Sequence, residues 1–355
     1  MGIFVTMFLF AMAVTQGALA IGVILRITSA RWGASIFRLS LSLGLSFLPV
    51  GILMLAAILY SKDSVFTWAH STADSVWFNY LFFIIRQSLA FVVVYGLALF
   101  LFIKSRRTVQ IKDEGVPALN NTLLLGSFFT LLSLVIYQTL TSWDIGMLLN
   151  HHFADTMYSV LNFTTVLYGG IGLLIITMFF AKKYSGIKVF GDEHFLTSAK
   201  IMLALTIVWT FLWWVQYMAI WFVQLPEETI PVYLRIYGYY RPVFLTSLVL
   251  LSGIPFISLI FSKVRNSASR VTMVAVSVLG GVFLEKYLVI VPVLEKEHLI
   301  TKTFILSPVN IITFVGVISG VIVVFLMLVK YNPNILPDKD ALVNDPLIAK
   351  QQGWQ

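Results

Sequence analysis

The sequence predicts an all-α protein, a polytopic bundle of about nine transmembrane helices. Two observations carry this prediction. Of the 355 residues, 59% are hydrophobic and only 11% are charged, whereas soluble domains carry about 25% charged residues. Apolar runs of about 20 residues, the length that spans a bilayer, recur along nearly the whole chain. We therefore interpret the chain as a membrane protein throughout, not as a soluble domain with an anchor.

The apolar segments form one predicted bundle over residues 1–329. No Lys or Arg precedes Arg26, so we interpret the first segment as a retained helix and not as a cleaved signal peptide. From Lys330 onward, prolines and mixed charges predict a peripheral arm over residues 330–355. The predicted spans are 2–25, 39–60, 80–103, 121–143, 156–181, 201–224, 242–262, 271–293 and 308–329.

The basic residues predict the orientation of the bundle. Of 24 Lys and Arg residues, seventeen lie in one set of alternate loops and in the tail, and five lie in the other loops. Because cytoplasmic loops are enriched in Lys and Arg, we expect the N-terminus outside and the C-terminal arm in the cytoplasm. The same rule explains the net charge of +8 without a nucleic-acid partner. The expected surroundings are membrane lipids.

The sequence argues against a redox cofactor bound by this chain. It contains no cysteine, which excludes disulfides, iron–sulfur ligation, thiolate zinc sites and covalent haem attachment. All five histidines lie in or beside predicted loops, so we expect no axial haem ligand inside the bundle. The neighbours His151 and His152 are poorly placed to chelate one metal ion, and no metal site is predicted.

Two charged positions mark the predicted outer third of the bundle. Arg86 lies inside the third apolar segment, where a charge costs at least about 2.5 kcal/mol at the helix centre. It is either an arginine that reaches back to the interface, or part of an ion pair or proton path. Tyr137, Thr141 and Asp144 share one helical face. Asp144 is then either a proton-handling carboxylate or an exposed loop aspartate.

Glu285 and Lys286 lie deep in the eighth apolar segment. Adjacent residues on a helix point about 100° apart, so we expect these side chains not to face each other. Each then needs a partner on another helix. Two charges far from either helix end are difficult to explain by reaching the interface, so the pair is a further candidate for a proton path.

An aromatic stretch runs from Trp209 to Arg241. Its rings at helical spacing fit packing and interfacial anchoring, or a flat apolar ligand such as a quinone. Gln216 lies among the rings and offers a hydrogen bond to a ligand carbonyl. Two adjacent carboxylates follow the helix, and they are equally explained as caps or as contacts to a partner. The outer-face candidates are Gln216, Tyr217, Glu227, Glu228 and Arg241.

The residues alone leave two functional classes open. One is a subunit of a redox complex that binds quinol and moves protons. The other is a stand-alone proton-coupled secondary transporter, a class whose helices are often interrupted by Gly and Pro. Pro49, Pro255 and the Gly280–Gly281 pair supply such interruptions.

Several motifs resemble the NrfD-like (polysulfide-reductase-C-like) family of membrane subunits. The most specific is the Leu-Pro-Glu-Glu element that follows the tryptophan-rich helix, and the others occur in the family's order from Thr28 to Pro292. The chain most resembles the second such subunit of bacterial alternative complex III. It departs from the family in having nine predicted helices instead of ten, Phe153 for Trp and Asp155 for Ser. The matching segments are residues 28–32, 79–86, 142–158 (which includes His152) and 216–229, and Glu285 followed by residues 291–292.

The resemblance implies a subunit of a quinol:cytochrome c (or other acceptor) oxidoreductase in the bacterial cytoplasmic membrane. The implied partners are a second NrfD-like subunit, an iron–sulfur/molybdopterin-like subunit and haem c subunits, which would carry the electrons. A quinone or quinol is the implied ligand. In the family the quinol site is better supported in the sister subunit, so proton conduction, structural support and a degenerate quinone site all remain open here. Arg86, Asp144, His152 and Glu285 would be polar stations in the bundle.

Overall fold

A computed structural model describes residues 1–66, 76–106, 116–149, 155–184, 190–223, 229, 232–233, 235–296, 307–332 and 335. These residues form helices and connecting turns, with no strand among them. Nine helices within them are long and apolar enough to cross a membrane, which confirms the predicted fold class and number of spans. They are α1 Gly2–Ile27, α2 Ile36–Tyr60, α3 Tyr80–Arg106, α4 Asn120–Met147, α5 Met157–Tyr184, α6 Asp192–Phe222, α7 Gly238–Ile260, α8 Ala268–Glu295 and α9 Pro308–Tyr331.

Helix α1 lies at the centre of the bundle. It packs against α2, α4, α5, α8 and α9, and 94% of its most apolar stretch is buried. Small residues allow this close packing, as is usual between membrane helices. At the crossing of α1 and α5, the Cα of Gly170 is so close to Gly17 that a Cβ on Gly17 would lie 2.9 Å from it. The other helices surround this centre, and α9 is the most exposed, with 6% of its apolar stretch buried.

Two helices are interrupted where the sequence contains proline. Helix α2 consists of the segments Ala34–Ser46 and Leu48–Tyr60, which meet at Phe47 just before Pro49. Helix α7 contains a π-helical turn, Val249–Gly253, ahead of Pro255. Proline has no N–H to donate to the carbonyl four residues earlier. In α7 that carbonyl belongs to Leu251, and it accepts a hydrogen bond from the hydroxyl of Tyr168 at 2.9 Å.

The sequence predicts that the C-terminal arm begins at Lys330. Helix α9 continues to Tyr331, two residues beyond the predicted end of the bundle at residue 329. Beyond it the structure describes Asn332 and Ile335, and both are buried. The rest of the predicted arm lies outside the described residues.

Candidate functional site

Arg86 of α3 and Asp144 of α4 form a buried ion pair. Nε and Nη2 of Arg86 donate to the two carboxylate oxygens of Asp144 at 2.7 and 2.5 Å. Gln87 donates to the same carboxylate at 2.6 Å. Asp144 has no exposed surface and Arg86 is 7% exposed. Of the interpretations left open by the sequence, Arg86 is therefore in an ion pair, and Asp144 is not an exposed loop residue.

The local backbone and the aromatic neighbours position this pair. Asp144 lies in a π-helical turn, Ser142–Met147, which adds a residue to the turn and re-aims the side chain. Nη1 of Arg86 donates to the carbonyl of Trp77 at 2.9 Å. The guanidinium carbon also lies 4.1 Å from the centre of the Trp77 ring, a cation–π contact. All three nitrogens of the guanidinium therefore have acceptors. This arrangement holds α3 and α4 together.

A second polar network crosses the bundle through five helices. Lys286 Nζ donates to Asn162 Oδ1 at 2.7 Å, and Asn162 Nδ2 donates to Gln138 Oε1 at 3.3 Å. Gln138 Nε2 donates to Gln16 Oε1 at 2.8 Å, and Gln16 Nε2 donates to the Tyr95 hydroxyl at 3.1 Å. We call these five residues the amide chain. Each is at most 6% exposed, and each amide donates in the same direction, away from Lys286.

Glu285 and Lys286 lie next to each other in space as well as in sequence. Lys286 Nζ is 3.0 Å from Glu285 Oε2, with 2% and 13% of the two side chains exposed. The expectation that these side chains do not face each other is therefore wrong, because two long side chains can bend toward each other across the 100° between their Cα–Cβ directions. The expected partner on another helix exists for Lys286, and it is Asn162.

A small cavity adjoins the amide chain. Its volume is about 10 Å³, close to the room that one water molecule needs. Gln138, Asn162 and Lys286 line it together with Thr141 and Tyr158. The predicted Thr141 therefore lies beside the polar network.

A larger, aromatic pocket lies on the other side of Glu285, between α5, α6, α7 and α8. It encloses about 50 Å³ and is open on one side. A typical ligand pocket holds about 300–1,000 Å³, so a ring-sized ligand would extend from it into the adjoining open space. Tyr158 lines both this pocket and the small cavity. Among the lining residues are Tyr158, Leu161, Trp209, Trp213, Gln216, Tyr217, Ile220, Arg235, Phe244, Ser247 and Glu285.

The predicted quinone candidates Gln216 and Tyr217 both line the aromatic pocket. Gln216 is buried and donates a hydrogen bond to Asp155, and Tyr217 stacks on Trp213 with ring centres 5.9 Å apart. Arg235, on the segment between α6 and α7, is half-buried at the pocket. Burial lowers the pKa of the Arg235 guanidinium, while the nearby Tyr158 and carboxylates raise it. The pocket thus joins flat apolar walls to one cation, one amide and one carboxylate.

The remaining predicted residues are not gathered at this pocket. Tyr137 is buried against Phe91, with ring centres 6.1 Å apart. Arg241 is exposed at the start of the helical segment Arg241–Leu248. His152, Glu227 and Glu228 lie outside the described residues. Within the described ranges there is no group of three or more His, Asp or Glu side chains placed to hold a metal ion.

The sequence reasoning did not single out the amide chain or the cation at the pocket. Polar residues within apolar segments indicate buried polar contacts, and the sequence contains three of them in the amide chain: Gln16, Gln138 and Asn162. Arg235 was counted only as a loop charge. The sequence alone does not show that Gln16 contacts Gln138, 122 positions away, or that Asn162 contacts Lys286, 124 positions away.

Comparison with known proteins adds no assignment: no family model matches the chain, and no curated protein sequence matches it significantly.

Proposed function

We propose that this chain is an integral membrane subunit of a quinol:acceptor oxidoreductase of the alternative complex III type, in the bacterial cytoplasmic membrane. It binds quinol in the aromatic pocket and accepts protons there, and it ligates no redox cofactor itself. The observation that carries the proposal is the pocket, where aromatic walls surround Gln216, Arg235 and Glu285. A flat apolar ring with two oxygen substituents matches these features.

The surroundings of the pocket support an amphiphilic ligand. A second cavity of about 80 Å³ shares Tyr217, Ile220, Val232 and Ile236 with the first. It continues toward Trp221 and aromatic residues of the segment between α6 and α7. An apolar tail attached to the ring would fit this direction, while the polar head lies at Glu285.

In the proposed reaction, quinol loses two electrons and two protons and becomes quinone. The electrons would pass to haem c or iron–sulfur groups, which the family resemblance implies for partner subunits. The Glu285 carboxylate accepts one of the two protons, and the other leaves to water through the open side of the pocket. Gln216 and Arg235 hold the ring oxygens against the aromatic walls. Arg86 and Asp144 hold α3 and α4 together nearby.

Purification decides between this function and the stand-alone transporter. A stable set of partner subunits with a haem spectrum supports the redox complex, and a solitary protein without haem contradicts it. The helix interruptions at Phe47 and at Val249–Gly253 are the observation that favours transport. In the redox complex, Glu285→Gln should lower the number of protons released per quinol oxidised. Unchanged stoichiometry would remove Glu285 from the proposed path.

A further inference from the structure

We propose that the amide chain holds the Glu285–Lys286 pair in its charge-separated form, so that the carboxylate at the aromatic pocket stands ready to accept a proton. Asn162, Gln138 and Gln16 are positioning residues in this account, because they act on the pocket only through Lys286. The inference rests on the proposed function for the source of the proton, but the charge state of the pair can be measured without any ligand.

The pair has an uncharged alternative. Moving one proton from Lys286 Nζ to Glu285 Oε2, 3.0 Å away, yields a neutral amine and a neutral carboxylic acid. Lys286 is 2% exposed, and burial away from water disfavours charged groups unless pairing and hydrogen bonds compensate. A carboxylic acid that already carries the proton cannot accept another from quinol. The surroundings of Lys286 therefore decide whether Glu285 can function.

The amide chain favours the charged form of Lys286. The oxygen of Asn162 faces the ammonium, and the oxygens of Gln138 and Gln16 each face the preceding amide. Three amide dipoles thus point their negative ends toward the cation. Hydrogen bonds linked in one direction polarise one another, and they do so more strongly where the dielectric constant is low. The chain ends on the hydroxyl of Tyr95.

The same chain is poorly built to conduct protons. Three consecutive amides separate Lys286 from Tyr95, and an amide side chain is too weak an acid and too weak a base to pass on a proton near neutral pH. Polarisation can pass along these bonds, whereas a proton would have to break an amide N–H bond at each step. This distinguishes the amide chain from a proton path, although it crosses the bundle interior.

Other charged and titratable groups face the pair from the pocket side. Arg235 acts on Glu285 with a favourable charge, Asp155 lies nearby with an opposing one, and Tyr158 lines the wall between the pocket and the small cavity. None of these groups is itself replaced when a residue of the amide chain is substituted. Substitutions in the chain therefore isolate its contribution from that of the pocket.

Infrared spectroscopy of the full chain in its native assembly tests the proposal. The carbonyl stretch of a protonated glutamic acid is recorded with ¹³C-labelled glutamate, and Glu285→Gln identifies the band of this residue. Asn162→Leu removes the acceptor of Lys286, and Gln138→Met interrupts the chain one bond further away. Tyr168→Phe is the matched control, since it removes a buried interhelical hydroxyl of α5 that contacts Thr206 and the Leu251 carbonyl.

The expected result is graded. Lys286→Met should raise the protonated fraction of Glu285 about tenfold or more, because the neighbouring opposite charge is lost. Asn162→Leu should raise it about threefold and Gln138→Met less, while Tyr168→Phe should match the unsubstituted protein. Equal bands in Asn162→Leu, Gln138→Met and the unsubstituted protein would overturn the proposal. If Asn162→Leu fails to assemble, Gln138→Met decides. A graded response without quinol oxidation would refute the proposed function alone.

Discussion

The Arg86–Asp144 pair shows how one buried charge depends on a compensating charge on another helix. Both side chains are buried, and the carboxylate accepts hydrogen bonds from Arg86 and Gln87. Removing one partner leaves the other as an uncompensated buried charge, which costs about 3–5 kcal/mol. Removing both leaves no charge behind. The pair is therefore expected to contribute mainly to stability, and this can be separated from a role in proton transfer.

Asp144→Asn and Arg86→Met should each lower the free energy of unfolding by about 3–5 kcal/mol. The double variant Arg86→Met with Asp144→Leu should lose less than the sum of the two single changes, because no unpaired charge remains. Unfolding in mixed detergent micelles measures these differences. A stable Asp144→Asn protein with fewer protons released per quinol would instead assign Asp144 to the proton path.

Gln216 is the second residue whose role can be tested alone. Gln216→Leu keeps the apolar wall but removes the amide donor, so the KM for quinol should rise about tenfold, the factor that corresponds to about 1.4 kcal/mol. Steady-state quinol oxidation by the purified complex measures it. Phe211→Leu is the control, since Phe211 lies on the same helix and is 63% exposed outside either cavity. An equal rise in both variants would show that the effect is not specific to the pocket.

At this scale the sequence identifies residue types but not their partners. Arg86, Asp144 and Lys286 stand out because charges within apolar segments need compensation. Their partners lie 58 and 124 positions away, and only the packing of the helices brings them together. The contact between Glu285 and Lys286 was predicted wrongly, because helical geometry fixes the direction of Cβ and not the reach of a long side chain.

Among the helix contacts, the crossing of α1 and α5 is the tightest approach of one backbone to another that the glycines reveal. A Cβ on Gly17 would lie 1.9 Å from the Val166 carbonyl oxygen, and one on Gly170 would lie 2.0 Å from the Gly17 carbonyl carbon. Both obstacles are backbone atoms, which cannot turn aside as a side chain can. The position of α1 at the bundle centre therefore depends on these two glycines.

Gly17→Ala and Gly170→Ala should each reduce stability by about 2–3 kcal/mol or prevent assembly, because the helices must separate to admit a methyl group. The matched control is Gly96→Ala in α3, where a Cβ would meet nothing within 4 Å. That change should be neutral or stabilise by up to about 1 kcal/mol, since alanine is the better helix former. Unfolding midpoints give the comparison, and equal losses at all three positions would contradict the close-crossing explanation.

Helix existence was predictable, whereas helix irregularity was only partly so. The nine apolar segments correspond one to one with α1–α9, because the bilayer sets a minimum apolar length. The ends differ more, and α6 begins at Asp192 instead of residue 201. Pro49 and Pro255 signalled interruptions. The π-helical turn that carries Asp144 contains no proline, and its sequence did not predict an irregular turn.

Across the described bundle, two of the buried polar systems join helices that are distant in the chain. The Arg86–Asp144 pair joins α3 to α4, and the amide chain links α1, α3, α4, α5 and α8. Glu285 lies where the amide chain meets the aromatic pocket. In the proposed function, the side of the membrane on which this pocket opens decides where protons from quinol are released. The predicted orientation makes it the outer side.

Because the chain contains no cysteine, single-cysteine variants report the orientation directly. Tyr60 at the end of α2 is 91% exposed, and Tyr184 at the end of α5 is 71% exposed. With the N-terminus outside, a membrane-impermeant maleimide should label Tyr60→Cys in intact spheroplasts and Tyr184→Cys only after permeabilisation. The cysteine-free parent should remain unlabelled in both conditions. The reverse pattern would place the aromatic pocket and Glu285 toward the cytoplasm, so that quinol oxidation there would release its protons on the inner side.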